Sequence, residues 1–182
     1  MIKKWKLLSS ETVFESSFIT LLKEKLEKPD GAIVEDYYSV KRRDVVYVVA
    51  LTESNEVILV YQYKNGVKDL IWELPAGFVD SGEETEVAAN RELLEETGFK
   101  GETSLYLGSF TSAAGSSGNL NHFFLLKNAK KIAKQNLDEH EEIEVKLFAL
   151  RVLVEDIKQR KSSLVDSQSQ LALLLVWEEL AK

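Results

Sequence analysis

Gly77-Phe78-Val79-Asp80-Ser81-Gly82-Glu83-Glu84-Thr85-Glu86-Val87-Ala88-Ala89-Asn90-Arg91-Glu92-Leu93-Leu94-Glu95-Glu96-Thr97-Gly98-Phe99 is the stretch around which the rest of the sequence falls into place. It holds seven acids and a single base, Arg91, whereas the whole chain of 182 residues carries a net charge of −7. The remainder is therefore nearly neutral. Residues from about Thr85 to Thr97 suit a helix, and Gly98 supplies a C-cap glycine. With Glu92 as origin and about 100° per residue, Glu96 lies about 40° to one side and Glu95 about 60° to the other, so three carboxylates share a face. Val87, Leu93, Leu94 and Thr97 fall opposite, which predicts an amphipathic helix whose carboxylates point away from its core contact. A solvated helix would set Lys four residues after such Glu residues. Here Glu92 meets Glu96, a like-charge pair that costs about 0.2 to 0.5 kcal/mol, and only Arg91 can reach Glu95. A hard divalent cation, Mg²⁺ or Mn²⁺, would turn that repulsion into coordination by oxygen ligands. The alternative on the helical wheel alone is an acidic exposed face.

Outward from this helix the chain alternates strands and turns. Val13 to Leu26 is rich in β-branched and apolar residues, Lys28-Pro29-Asp30-Gly31 reads as a turn with Pro at its second position, and Ile33 to Val40 resumes as a strand, giving an antiparallel pair. Val45 to Leu51 and Val57 to Tyr63 are apolar strands joined by the polar turn Glu53-Ser54-Asn55-Glu56, and together they are expected to form core sheet. Leu70 to Ala76 is strand-like up to Pro75, and Gly77 to Glu83 is expected to be a loop. Strands near Ser104 to Thr111, Leu120 to Leu126 and Ile143 to Ala149, with helices near Val152 to Arg160 and Gln168 to Ala181, predict an α/β (α+β) sandwich in which a mixed β-sheet lies between helices. Gly115-Ser116-Ser117-Gly118 lacks the Lys and the adjoining helix of a phosphate cradle and reads as a turn between two strands.

Composition excludes several classes. Hydrophobic residues make up 45% of the chain and charged residues 29%, enough apolar material for a core in one domain or one domain plus an appendage. The longest pure apolar run, Leu171 to Trp177, is far short of the roughly 20 residues needed to span a bilayer, so no membrane partner is expected. Met1 to Lys6 is basic but is followed by no apolar segment of the secretory kind. The acidic balance disfavours nucleic acid as a partner. With no cysteine there is neither a disulfide framework nor a thiolate site, and a reducing cytoplasm is the default compartment. His122 and His140 are the only histidines, too few for a histidine metal site. His122 reads as a core or pocket-edge residue and His140 as exposed.

Gly77, five residues, Glu83, seven residues, then Arg91-Glu92-Leu93-Leu94-Glu95-Glu96-Thr97-Gly98 resembles a complete Nudix box. Seven specified positions at ordinary residue usage match by chance at about 10⁻⁸ or less per window. The resemblance implies the Nudix fold, with Glu92, Glu95 and Glu96 holding metal over a diphosphate, Gly77 letting the backbone approach the ligand, and Arg91 orienting Glu95 or a loop carboxylate. Trp72-Glu73-Leu74-Pro75-Ala76-Gly77, preceded by Leu59-Val60-Tyr61-Gln62-Tyr63-Lys64 and by Lys28-Pro29-Asp30-Gly31, is similar to the branch that hydrolyses ADP-ribose and nucleoside diphosphate sugars. In that branch the backbone carbonyl at Ala76 would join the metal ligands, and Lys64 would meet the substrate. Residues 1–42 would form a small antiparallel β extension on the hydrolase domain of residues 43–182, exchanging strands across a homodimer. Trp5 would then either stack on the nucleobase or pack at the dimer seam. Asp138-Glu139-His140-Glu141-Glu142-Ile143 resembles the mobile acidic loop of the branch, with Glu139 as the base and Glu141 as an extra metal ligand. Its alternative is a solvated loop.

Two departures from the branch stand out. Ala114 occupies the place of the usual Pro, and Lys64 that of the usual Arg, which keeps charge but loses bidentate phosphate geometry. The resemblance thus implies cleavage of ADP-ribose and of nucleotide sugars such as GDP-mannose to a nucleoside monophosphate and a sugar phosphate. A non-catalytic nucleotide sensor would be expected to have lost glutamates of the box. A nucleotide-sanitising enzyme would fit the box but not the N-terminal extension.

Overall fold

The computed structural model describes all 182 residues. In chain order the strands and helices are β1 (Lys6–Glu15), β2 (Thr20–Glu27), β3 (Ile33–Lys41), β4 (Val45–Ala50), β5 (Glu56–Lys64), β6 (Asp69–Glu73), β7 (Ala76–Phe78), α1 (Thr85–Thr97), β8 (Phe99–Lys100), β9 (Thr103–Phe110), β10 (Asn121–Lys127), β11 (Lys130–Lys131), β12 (Glu144–Ala149), α2 (Leu150–Lys158) and α3 (Ser167–Leu180). They divide into two compact units, Met1–Asp44 with Phe110–Leu120, and Val45–Ser109 with Asn121–Lys182.

The first unit is an antiparallel sheet in the order β1-β2-β3. The apolar run of Val13 to Leu26 is broken after Glu15, where the Ser16 hydroxyl accepts hydrogen bonds from the amides of Phe18 and Ile19, both at 3.2 Å. A short polar side chain that bonds its own neighbours in this way competes with the ladder and ends it. The Lys28 turn closes as expected: the Gly31 amide donates to Lys28 O at 2.9 Å, and Gly31 has φ 84°. Residues 110–120 join this unit through β3, with Val40 N donating to Ser116 O at 2.7 Å and the Tyr37 hydroxyl to Gly115 O at 2.6 Å. β1 is exposed along its whole length.

The second unit holds two main sheets, β7-β4-β10-β9 and β12-β5-β6, and a short β8/β11 pair. The Val45 and Val57 strands, expected together as core sheet, are both core strands but belong to different sheets, linked by a bridge between Leu51 and Val57. Both are apolar on both faces, and each takes a central place in its own sheet. β4 runs parallel to β10 and antiparallel to β7, while β5 runs antiparallel to β12 and β6. Alternation along β10 sends Phe124 and Leu126 to a core shared with Ala88, Ala89 and Leu93 of α1. Phe123 and Leu125 go to a second core with Leu153 and Val154 of α2 and Leu173 and Val176 of α3. The sheets thus lie between α1 on one side and α2 with α3 on the other, the sandwich that the sequence predicts. Gly77, expected in a loop, is instead the middle of β7, paired with Val46.

Candidate active site

α1 begins at Glu84 without a side-chain cap and ends at Gly98 in the left-handed region, φ 74°. A side chain at Gly98 would also strike Ala133 O at 2.2 Å, so glycine is required there on two counts. The buried stripe of the helix differs from the expected one. Val87 is 57% exposed, while Ala88, Ala89 and Leu93 are fully buried and Glu96 is 3% exposed. Ala89, Leu93 and Glu96 form an i, i+4, i+7 row, so Glu96 is the last member of the core-facing stripe rather than part of a solvated face. Its Oε2 accepts the Ala76 amide of β7 at 3.1 Å. Gly77 makes room beside it: a Cβ there would lie 2.0 Å from the Glu92 carboxyl carbon.

Arg91 organises the N-terminal end of the cluster. Nε and Nη2 donate to the two carboxylate oxygens of Glu83 at 2.9 and 2.8 Å, Nη2 also to Phe78 O at 3.0 Å, and Nη1 to Glu92 at 2.7 Å and Glu95 at 3.1 Å. This fork-on-carboxylate geometry needs arginine. The guanidinium holds the Glu83 carboxyl down at about 2. At the other end burial dominates. It pushes Glu96 well above the usual carboxylate range, with Glu92 and Glu141 adding to the effect and Lys64 opposing it. Burial likewise raises Glu92, against Arg91 and with Glu95 and Glu141.

Glu141 is thus within electrostatic reach of both helix carboxylates. Its side chain accepts the Asp138 amide at 3.0 Å within the acidic loop. Glu139 is exposed and opens onto a pocket of about 370 Å³ with Gln62, Tyr63, Leu70, His140 and Glu142. Lys64 bonds Glu73 at 2.7 Å. Trp5 lies just before β1, 47% exposed. His122 is half-buried against the Tyr106 hydroxyl at 3.2 Å, and His140 is exposed. A concavity of about 900 Å³ opens along another face of α1 between Val87, Leu94, Tyr106 and Phe124; it takes in Arg91 but none of Glu92, Glu95 and Glu96.

No three acidic or histidine side chains are drawn together into a closed metal cage; Arg91 instead ties Glu83, Glu92 and Glu95. The donor set nonetheless fits a hard cation. Glu92 and Glu96 are carboxylates disfavoured in their charged form by burial, and a divalent ion bound by oxygen would reverse that penalty. Sequence reasoning missed Glu73, which is 7% exposed, and Gln135, which donates to Glu96 O at 2.7 Å and Ile143 O at 3.1 Å. A glutamate inside the apolar run Leu70 to Pro75 was the available signal for the first; nothing local marks the second.

The family model of the NUDIX domain matches residues 41–168. The chain belongs to the Nudix family. Residues 5–40 match the nucleoside diphosphate sugar hydrolase N-terminal domain. This Nudix hydrolase is 31% identical over 157 residues to an ADP-ribose pyrophosphatase of Bacillus subtilis, covering 86% of this chain and 84% of the relative. It is 30% identical over 169 residues to a methanol dehydrogenase activator of Bacillus methanolicus, covering 92% and 90%. A crystal structure of an ADP compounds hydrolase superimposes with a TM-score of 0.84 at 24% identity, over 100% of this chain and 96% of that one, and bears on the Nudix fold alone.

Proposed function

We propose that this Nudix hydrolase cleaves the diphosphate of ADP-ribose and of other nucleoside diphosphate sugars, GDP-mannose among them, giving a nucleoside monophosphate and a sugar phosphate. The observation that carries the reading is the pairing of a buried carboxylate, Glu96, and a half-buried one, Glu92, with a helix whose single cation is already committed to Glu83, Glu92 and Glu95. Glu92, Glu95, Glu96, the Ala76 carbonyl and Glu141 would hold Mg²⁺ or Mn²⁺. When bound, such an ion offsets the charge of the diphosphate and lowers the pKa of the attacking water. Glu139, on the exposed loop, takes the proton of that water. Glu141, whose charge acts on both Glu92 and Glu96, would be the further ligand. Arg91 fixes the rotamers of Glu92 and Glu95, and outer partners of this kind hold ligands in place. Lys64 contacts the substrate, and Gly77 keeps the space beside Glu92 clear. The absence of cysteine agrees with a reducing cytoplasm.

A product assay over ADP-ribose, GDP-mannose and other nucleotide sugars tests the reading, with Mg²⁺, Mn²⁺ or excess chelator. Turnover should vanish with chelator, return with either ion, and fall within about a hundredfold in kcat/KM for at least two sugars, because single apolar contacts discriminate by only about 10 to 200-fold. Full turnover in chelator would overturn the metal site, and turnover of ADP-ribose alone would overturn the breadth.

Residues 1–42 are further proposed to pair with a second copy, with Trp5 at the seam or over the nucleobase. Leu7, Leu8, Val13 and Phe14 of β1 are all exposed, and an unpaired apolar edge strand invites another chain. Light scattering should give a dimer; an active monomer at assay concentration would refute the pairing.

A further inference from the structure

Glu73 ends β6 just before the Leu74-Pro75 corner, in a sheet that is otherwise largely apolar at this end. A buried carboxylate is costly unless paired. Both of its hydrogen bonds fall on one oxygen, Oε1, from Lys64 Nζ at 2.7 Å and Gln62 Nε2 at 2.8 Å. In the β5/β6 register Val60 faces Glu73, Gln62 faces Ile71, and Lys64 faces Asp69. Residues that face each other across an antiparallel pair project to the same side, so Gln62, Lys64 and Glu73 share one face. The nearest acid across from Lys64 is the exposed Asp69, which accepts the amide of Leu70 at 2.8 Å. Lys64 bonds instead to Glu73, four residue pairs further along the ladder. Its side chain remains 40% exposed, and an ammonium has three donors, so the bond to Glu73 ties down one N–H of the three. The charge of Lys64 also acts on Glu96 of α1, opposing the effect of burial there.

We propose that Glu73 is a positioning residue that, steadied by Gln62, anchors Lys64 so that its free donors meet the substrate diphosphate. The proposal rests on the diphosphate-hydrolase reading. A lysine on a strand end sweeps through many rotamers, and ordering it in advance removes that entropy from substrate binding. The anchor matters more for Lys than for Arg, whose fork could hold a carboxylate and a phosphate on separate edges. A contact made equally in the ground and transition states changes KM more than kcat.

The test compares wild-type protein, Lys64→Met, Glu73→Gln and the double variant with ADP-ribose and Mg²⁺. Binding of ADP by calorimetry and Tm are measured in parallel. Lys64→Met should raise KM about tenfold with kcat within about threefold. Glu73→Gln should raise KM about three- to tenfold, and the double variant should match Lys64→Met alone, since neighbours that act as a unit are not additive. ADP affinity should follow the same order. Additive effects on KM, or an unchanged KM and ADP affinity in a Glu73→Gln protein of normal Tm, would overturn the proposal. If Glu73→Gln loses Tm, Gln62→Met carries the comparison: it should raise KM in wild-type background and leave Lys64→Met unchanged, and the opposite result overturns the anchor. A wild-type protein that turns over no diphosphate compound defeats the functional reading itself, whereas failed coupling in an active enzyme defeats only the role of Glu73.

Discussion

Glu83 and Glu96 lie at opposite ends of the same acidic segment, and the fold treats them in opposite ways. Glu83 receives two prongs of Arg91 and the Asp80 amide, and its carboxyl is held at about 2. Glu96 is more deeply buried, its one close donor is the Ala76 amide, and burial raises it well above the ordinary range. The first carboxylate is satisfied by a direct ion pair, whereas the second has no cationic side chain bonded to it. One segment therefore holds a carboxylate in a structural ion pair and another that is proposed as a metal ligand, and its sequence spells both with the same residue.

The largest expected effect comes from removing the charge of Glu96. A folded-state carboxyl above its unfolded value stabilises the fold below the unfolded pKa, and that contribution is lost as pH rises through the folded value. At pH 8 in chelator, Glu96→Gln should thus raise Tm by a few degrees, since about 1 kcal/mol corresponds to roughly 2 to 4 °C for a chain of this size. With Mg²⁺ present the same variant should lose more than the roughly 10 to 100-fold that follows loss of an outer partner of a metal site. Differential scanning fluorimetry and initial rates read the two effects. A variant with wild-type turnover would remove Glu96 from the site.

A smaller loss is expected from Arg91→Lys. Lysine keeps the charge but cannot bond Glu83, Glu92, Glu95 and Phe78 O together. Turnover should fall about 10 to 100-fold, while Glu92 and Glu96 remain in place, and added Mg²⁺ should restore part of the rate if the defect is in orienting ligands. A rate unchanged from wild type would reduce Arg91 to a surface ion pair.

The limits of the sequence follow the range of the interactions involved. Helix α1 was legible to the residue, Thr85 to Thr97 with Gly98 as cap, because capping and periodicity are local. The partners of β4 and β5 were not, because strands that are apolar on both faces carry no mark of which neighbour they take. The same holds for Gly77, whose strand exists only through pairing with Val46. Within the site, the acidic face and its shortage of bases could be counted directly, but the wheel put Val87 in the core and Glu96 outside. A helical wheel has no knowledge of the β7 backbone, and it is the Ala76 amide that draws Glu96 inward. Arg91 was expected to orient one carboxylate and instead bonds three, a convergence that needs the Phe78–Glu83 turn folded over the helix.

The smallest effect tests the satisfied end. The Glu83 carboxyl titrates near 2 in the folded chain against 4.5 ordinarily, so its ion pair with Arg91 contributes stability above about 4.5 that is lost as pH falls toward 2. Glu83→Gln keeps the shape and one acceptor for Arg91 but removes the charge, so the stability gap between wild type and variant should be full at pH 7 and close progressively below pH 4.5. Arg91 is partly exposed, at 28% of its side chain, and solvent screening reduces such pairs to about 1 kcal/mol. Urea titrations at pH 7, 5, 4 and 3 with equal m-values would resolve a difference of this size. A gap that stays constant from pH 7 to pH 3 would mean that shape rather than charge holds the turn onto α1, and the contrast between the two glutamates would then rest on burial alone.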